Sequence, residues 1–155
     1  MKRIWICSIL VMTISLTLVP GAWALFGPRI EMLTPENNVL KISLSDIDDG
    51  KAHYFKVTAD SGTLVTFFTI KSGDGVIRAA IDACDVCYRS GKGYVQDGDS
   101  MVCTNCGQRF ASSRINVVKG GCNPAPLKRR VEGKYLLISM ADINQNAWYC
   151  EYKKP

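Results

Sequence analysis

Five cysteines fall at regular intervals: Cys84-x2-Cys87, fifteen residues, Cys103-x2-Cys106, fifteen more, then Cys122. Two C-x-x-C units at this separation are a metal-site signature. Two intervening residues let a tight turn aim both sulfurs at one ion, and a second turn completes a tetrahedral thiolate set. Gly107 directly after Cys106 can supply the positive φ that such a turn requires. The spacing predicts Cys84, Cys87, Cys103 and Cys106 as metal or cofactor ligands, with Cys122 as a further candidate. Structural disulfides are the competing use, but a bridge within C-x-x-C closes a very short loop and stabilises little. Cys122 lies in Gly120-Gly121-Cys122-Asn123-Pro124, a segment rigid enough either to bring in a fifth sulfur or to fix a bridge to Cys150. For Cys150 the bridge is the expected state.

His53 is the single histidine of the chain. That excludes a three-histidine zinc enzyme and a haem with two histidine ligands. His53 alternates with Phe55 and Val57 on a strand, where a satisfied core residue is the ordinary outcome; the other use is as an additional ligand or proton partner. No C-x-x-C-H run is present, which argues against covalent haem. No nucleophile–base pair and no glycine-rich phosphate loop stand out, so a redox carrier or metal-binding protein is expected rather than an enzyme. A net charge of +5 gives no nucleic-acid surface.

These residues need a scaffold, and the pattern around them is β. Val39–Leu44, His53–Thr58, Thr63–Lys71, Val76–Ile81 and Tyr135–Met140 read as short strands between Gly/Asp turns. The fold class expected is mainly β, a small antiparallel barrel or sandwich with a cysteine-rich loop region from Cys84 to Leu127. Upstream, Lys2-Arg3, an uncharged apolar run over 4–19 and Ala22-Trp23-Ala24 form an export signal. Cleavage is expected after Ala24; an uncleaved anchor is the alternative, although the run is short for a span of roughly 20 residues. Residues 25–38 read as a linker and 39–155 as the domain, which implies a periplasmic or otherwise exported protein. Lys128-Arg129-Arg130 and Lys153-Lys154 read as solvated basic runs, with anionic membrane docking as the other use.

Several strings together resemble the FtrD-like membrane iron–sulfur family. They are Asp82-Ala83-Cys84-Asp85-Val86-Cys87, Gly93-Tyr94-Val95-Gln96, Val102-Cys103-Thr104-Asn105-Cys106, and Gly120 to Leu127. Asp49-Gly50-Lys51-Ala52-His53 and Phe67-Phe68 with Asp74-Gly75 also resemble it. The resemblance implies an iron or iron–sulfur centre, electron transfer or metal handling in bacterial iron uptake, and membrane iron-transport or redox components as partners. A fainter similarity is to Rieske domains: Cys103-x-x-Cys106-Gly107-x-x-Phe110 resembles their second cluster loop, with Cys106 where that loop has histidine. Four thiolates equally suit Zn(II), and a chain exported unfolded would favour a simple ion such as Zn(II) or Cu(I). A thiol–disulfide oxidoreductase and a zinc or copper structural or metallochaperone module are therefore the other functions to weigh.

Overall fold

The computed structural model describes residues 29–152. The signal and its cleavage site lie outside them, as does the first part of the linker. Ten strands and one α-helix follow in order: β1 (Ile30–Met32), β2 (Val39–Ser43), β3 (His53–Thr58), β4 (Leu64–Lys71), β5 (Ile77–Ile81), β6 (Tyr94–Asp97), β7 (Ser100–Cys103), β8 (Arg109–Ala111), β9 (Arg130–Glu132), β10 (Tyr135–Ser139) and α1 (Met140–Asn146). They form three sheets, ordered β1-β3-β4-β5, β2-β10-β9 and β6-β7-β8. The fold is mainly β and sandwich-like, and no sheet among the described residues closes into a barrel.

The β1–β5 sheet is the middle layer. Successive side chains of a strand point to opposite faces, and here both faces are covered. Phe55, Val57, Val65, Phe67, Ala79 and Ile81 face one core, with Leu40 and Ile42 of β2, Leu136 and Ile138 of β10, and Ile143 of α1. Tyr54, Phe68, Ile70 and Ala80 face a second core, with Tyr94 of β6 and Met101 and Cys103 of β7. Double-sided burial explains why Val65, Phe67, Phe68 and Ile70 put apolar side chains on both faces of β4 instead of alternating with polar ones.

Three features differ from the sequence expectation. The expected linker contains β1, which pairs in parallel with β3 (Ile30 opposite Tyr54). Its side chains remain exposed, so no apolar pattern marks it. The cysteine-rich region is not wholly loop: it carries the β6-β7-β8 sheet, whose first hairpin turns at Gly98-Asp99 between Asp97 and Ser100. The final strand stops at Ser139, whose side chain accepts a hydrogen bond from the Ala141 amide and caps α1.

Candidate metal centre

Three loops bring the cysteines together. The first follows β5. The Cys87 amide donates to Cys84 Sγ at 3.2 Å, and the Tyr88 amide donates to the Cys84 carbonyl at 3.0 Å. This is the tight turn that the spacing requires. The second joins β7 to β8. Gly107 N–H bonds to the Cys103 carbonyl at 2.8 Å and Cys103 N–H to the Gln108 carbonyl at 2.9 Å. Gly107 has φ +75°, as the knuckle predicts. The third carries Cys122 and then runs beside the end of β5, with the Ile81 amide donating to the Ala125 carbonyl and the Ala125 amide to the Ala83 carbonyl. Tyr94 fixes it further: its hydroxyl donates to the Cys122 carbonyl at 2.6 Å.

The loops are also tied to one another. Asn105 Nδ2 donates to Cys87 Sγ at 3.4 Å. Thr104 Oγ1 donates to the Lys92 and Gly93 carbonyls at 2.7 and 2.9 Å. All five sulfurs converge. Cys84, Cys87 and Cys122 form one group and Cys87, Cys103 and Cys106 another, with the sulfurs of each group within 4.8 Å of one another. Cys84 and Cys103 are buried, Cys87 and Cys122 half-buried, and Cys106 exposed.

Cys122 therefore joins the cluster and does not bridge Cys150, which is a free thiol. The expected pairing is corrected on geometric grounds: the Gly-Gly-Cys-Asn-Pro segment docks along β5, which points Cys122 at Cys84. Cys150 instead packs partly buried against the first core, and burial pushes its thiol up from the usual range. His53 is not brought to the cysteines. Its Nε2 lies 2.7 Å from Asp49 Oδ1, four residues earlier in the turn that the sequence marks as Asp-Gly.

Amide donors and burial act in opposite directions on the thiols. Burial pushes the Cys103 thiol up to about 11, against donation from the Cys106 and Asn105 amides. The Gln108 amide holds exposed Cys106 below the usual thiol range. Amides aimed at sulfur stabilise thiolates, the form that binds metal. Met101 is a buried core residue of β7. Tyr94 lies in the second core with the half-buried Phe110 against it. Tyr88 stacks edge-on to Trp148. Arg89 and Lys92 are exposed, with Arg89 bonded to the Tyr88 hydroxyl. Asp85 accepts a hydrogen bond from Tyr149.

The sequence marks Asp82 only as the first residue of the string that leads into Cys84. It lines a cavity of about 220 Å³ beside Cys84, Cys87 and Cys103, and its Oδ1 accepts from the Tyr94 amide at 2.7 Å. Burial pushes this carboxyl up to about 7, against the one amide bond that lowers it. Below pH ~4 the group is neutral in folded and unfolded chains alike. Between there and pH 7 the unfolded chain releases the proton first, so stability falls as pH rises; above 7 the penalty is constant. Its ceiling is about 4 kcal/mol. Asp82→Asn keeps the amide acceptor and removes the charge. The metal-stripped variant is expected to match wild type in urea unfolding at pH 4 and to exceed it at pH 8; equal midpoints at both pH values would refute this.

The donor set fits a metal group: five thiols, amide hydrogen bonds onto several of them, and an apolar floor formed by the second core. Thiol clusters on a β scaffold of this kind define a metal or iron–sulfur protein. The chain belongs to the FtrD-like family, described as membrane iron–sulfur containing proteins, whose model matches residues 47–149. No helix of the described residues is long and apolar enough to cross a membrane. No curated protein matches the chain. Among solved structures, a quaternary ammonium Rieske monooxygenase crystallised with an inhibitor is similar at 16% identity and a TM-score of 0.45, over 63% of this chain and 29% of that one. The chain thus spans less than a third of that structure's length.

Proposed function

We propose that the chain is an exported iron or iron–sulfur protein that transfers electrons or handles metal in bacterial iron uptake, beside membrane iron-transport or redox components. One observation carries this reading: five thiols from three separate loops converge in two overlapping groups. A lone tetrahedral ion with metal–sulfur bonds of about 2.3 Å sets its four thiolates about 3.8 Å apart. The four C-x-x-C cysteines do not make one such group, whereas a polynuclear centre spreads its ligands over more than one metal. The family description points to the same chemistry.

Cys84, Cys87, Cys103, Cys106 and Cys122 would hold the group, which supplies one-electron redox chemistry when bound. The buried residues Phe68, Tyr94 and Met101 close the inner side against water, and exposed Cys106 leaves the outer side open to a partner. A disulfide oxidoreductase is less well supported, because neither C-x-x-C pair begins an α-helix among the described residues, the setting that activates such thiols.

Anaerobic purification followed by iron, zinc, copper and sulfide analysis tests the proposal. Iron with a visible charge-transfer band and a reversible electron paramagnetic resonance signal is expected. Stoichiometric zinc or copper without iron would replace it with the structural or metallochaperone role, and metal-free protein would end it.

A further inference from the structure

Five thiols are one more than a single tetrahedral ion requires, and their arrangement says where the extra one belongs. Each group has three sulfurs, and Cys87 is the member common to both. The chain thus presents two three-sulfur seats that share a corner. We propose that the centre is dinuclear and that Cys87 is the thiolate shared by its two ions, with Cys84 and Cys122 completing one seat and Cys103 and Cys106 the other. The proposal rests on the reading that these cysteines hold metal, and it specifies the number of ions and the sulfur that binds both.

Hydrogen bonding places Cys87 between the two seats. Asn105, inside the Cys103–Cys106 knuckle, reaches Cys87 Sγ with its side-chain amide at 3.4 Å, while the Cys87 backbone amide donates to Cys84 Sγ at 3.2 Å.

Charge supports it too. Five thiolates around one divalent ion leave three net negative charges in a partly buried site, and two such ions leave one. Burying uncompensated charge is costly. The nearby cations offer little offset, since Arg89 and Lys92 are exposed. A second metal ion supplies the neutralisation that the protein does not.

The test uses the full chain, stripped of metal and titrated with Cd(II), with native mass spectrometry and sulfur-to-cadmium absorbance as readouts. Two ions per chain are expected at saturation. Cys122→Ser and Cys106→Ser should each retain one ion, because each dismantles one seat. Cys87→Ser should lose both. Anaerobically purified wild type should carry two irons per chain. Saturation at one ion, four irons with four sulfides, or a Cys87→Ser variant that behaves like Cys122→Ser would each overturn the shared ligand while leaving the metal protein standing. No bound cadmium and no iron would defeat the underlying metal reading as well. Circular dichroism separates loss of metal from loss of fold, and the wild-type stoichiometry decides the ion count without any variant.

Discussion

Phe68→Ala is expected to cost about 3–5 kcal/mol of stability, the usual range for emptying a buried aromatic site, and to release metal as well. Phe68 is fully buried in the second core, in the same cluster as Cys84 and Cys103. Its ring lies 6.0 Å from that of Tyr54 and 6.3 Å from that of Tyr94. Tyr94 in turn holds the Cys122 loop through its hydroxyl. Removing the ring therefore undermines all three ligand loops from below. The neighbouring Phe67 is the control. It is equally buried but faces the first core, stacked on Phe55 at 5.4 Å. Phe67→Ala should cost a similar amount in urea unfolding while the folded fraction keeps its metal. Equal metal retention in the two variants would show that the second core does not seat the site.

Gly93→Ala is expected to destabilise the chain by about 3 kcal/mol or more, from two sources. Gly93 has φ +68°, where a Cβ costs about 1–2 kcal/mol. An added Cβ would also overlap the Asp82 carboxylate. That side chain is half-buried and bonded to the Tyr94 amide, so moving it forfeits a part-buried hydrogen bond, a further 1–3 kcal/mol or so. The Gly93 carbonyl accepts from Thr104 N–H at 3.0 Å, so the strain passes directly to the Cys103–Cys106 knuckle. Gly98→Ala separates the two sources: its φ is +60°, but a Cβ there meets nothing within 4 Å. It should show only the backbone cost. Indistinguishable unfolding midpoints for the two variants would refute the Asp82 contact.

Much of the scaffold was legible in the sequence because Gly/Asp turns bound its longer strands. His53–Thr58 is recovered residue for residue, and Thr63–Lys71 and Val76–Ile81 each start one residue early. What was missed is short or weakly patterned. β8 has three residues with only Phe110 half-buried, so it carries no alternation. The β6–β7 hairpin did carry a signal, the turn pair Gly98-Asp99 between two runs containing valine, which the cysteine spacing overshadowed. α1 was announced by Ser139-Met140-Ala141-Asp142, a capping pattern at the end of a strand. At the site, the spacing identified the C-x-x-C pairs because the turn geometry is local. Cys122 was ambiguous because its position depends on docking against β5, a contact of long sequence separation. His53 shows the converse: its apolar strand neighbours obscured an acidic partner in the preceding turn.

The pairing of β2 with β10, in which Val39 lies opposite Ser139, sets an order of events. A chain that emerges N-terminus first, from a ribosome or through a pore, has all five clustered cysteines out before β10 arrives to close the first core. Contacts of such sequence separation form late in folding. The second core, by contrast, is built only from residues between Ala52 and Cys122, so the shell that seats the cysteines is complete in sequence while the first core still lacks its last strand. Assembly of the site is thereby separated from closure of the domain, and metal uptake need not wait for the final strand.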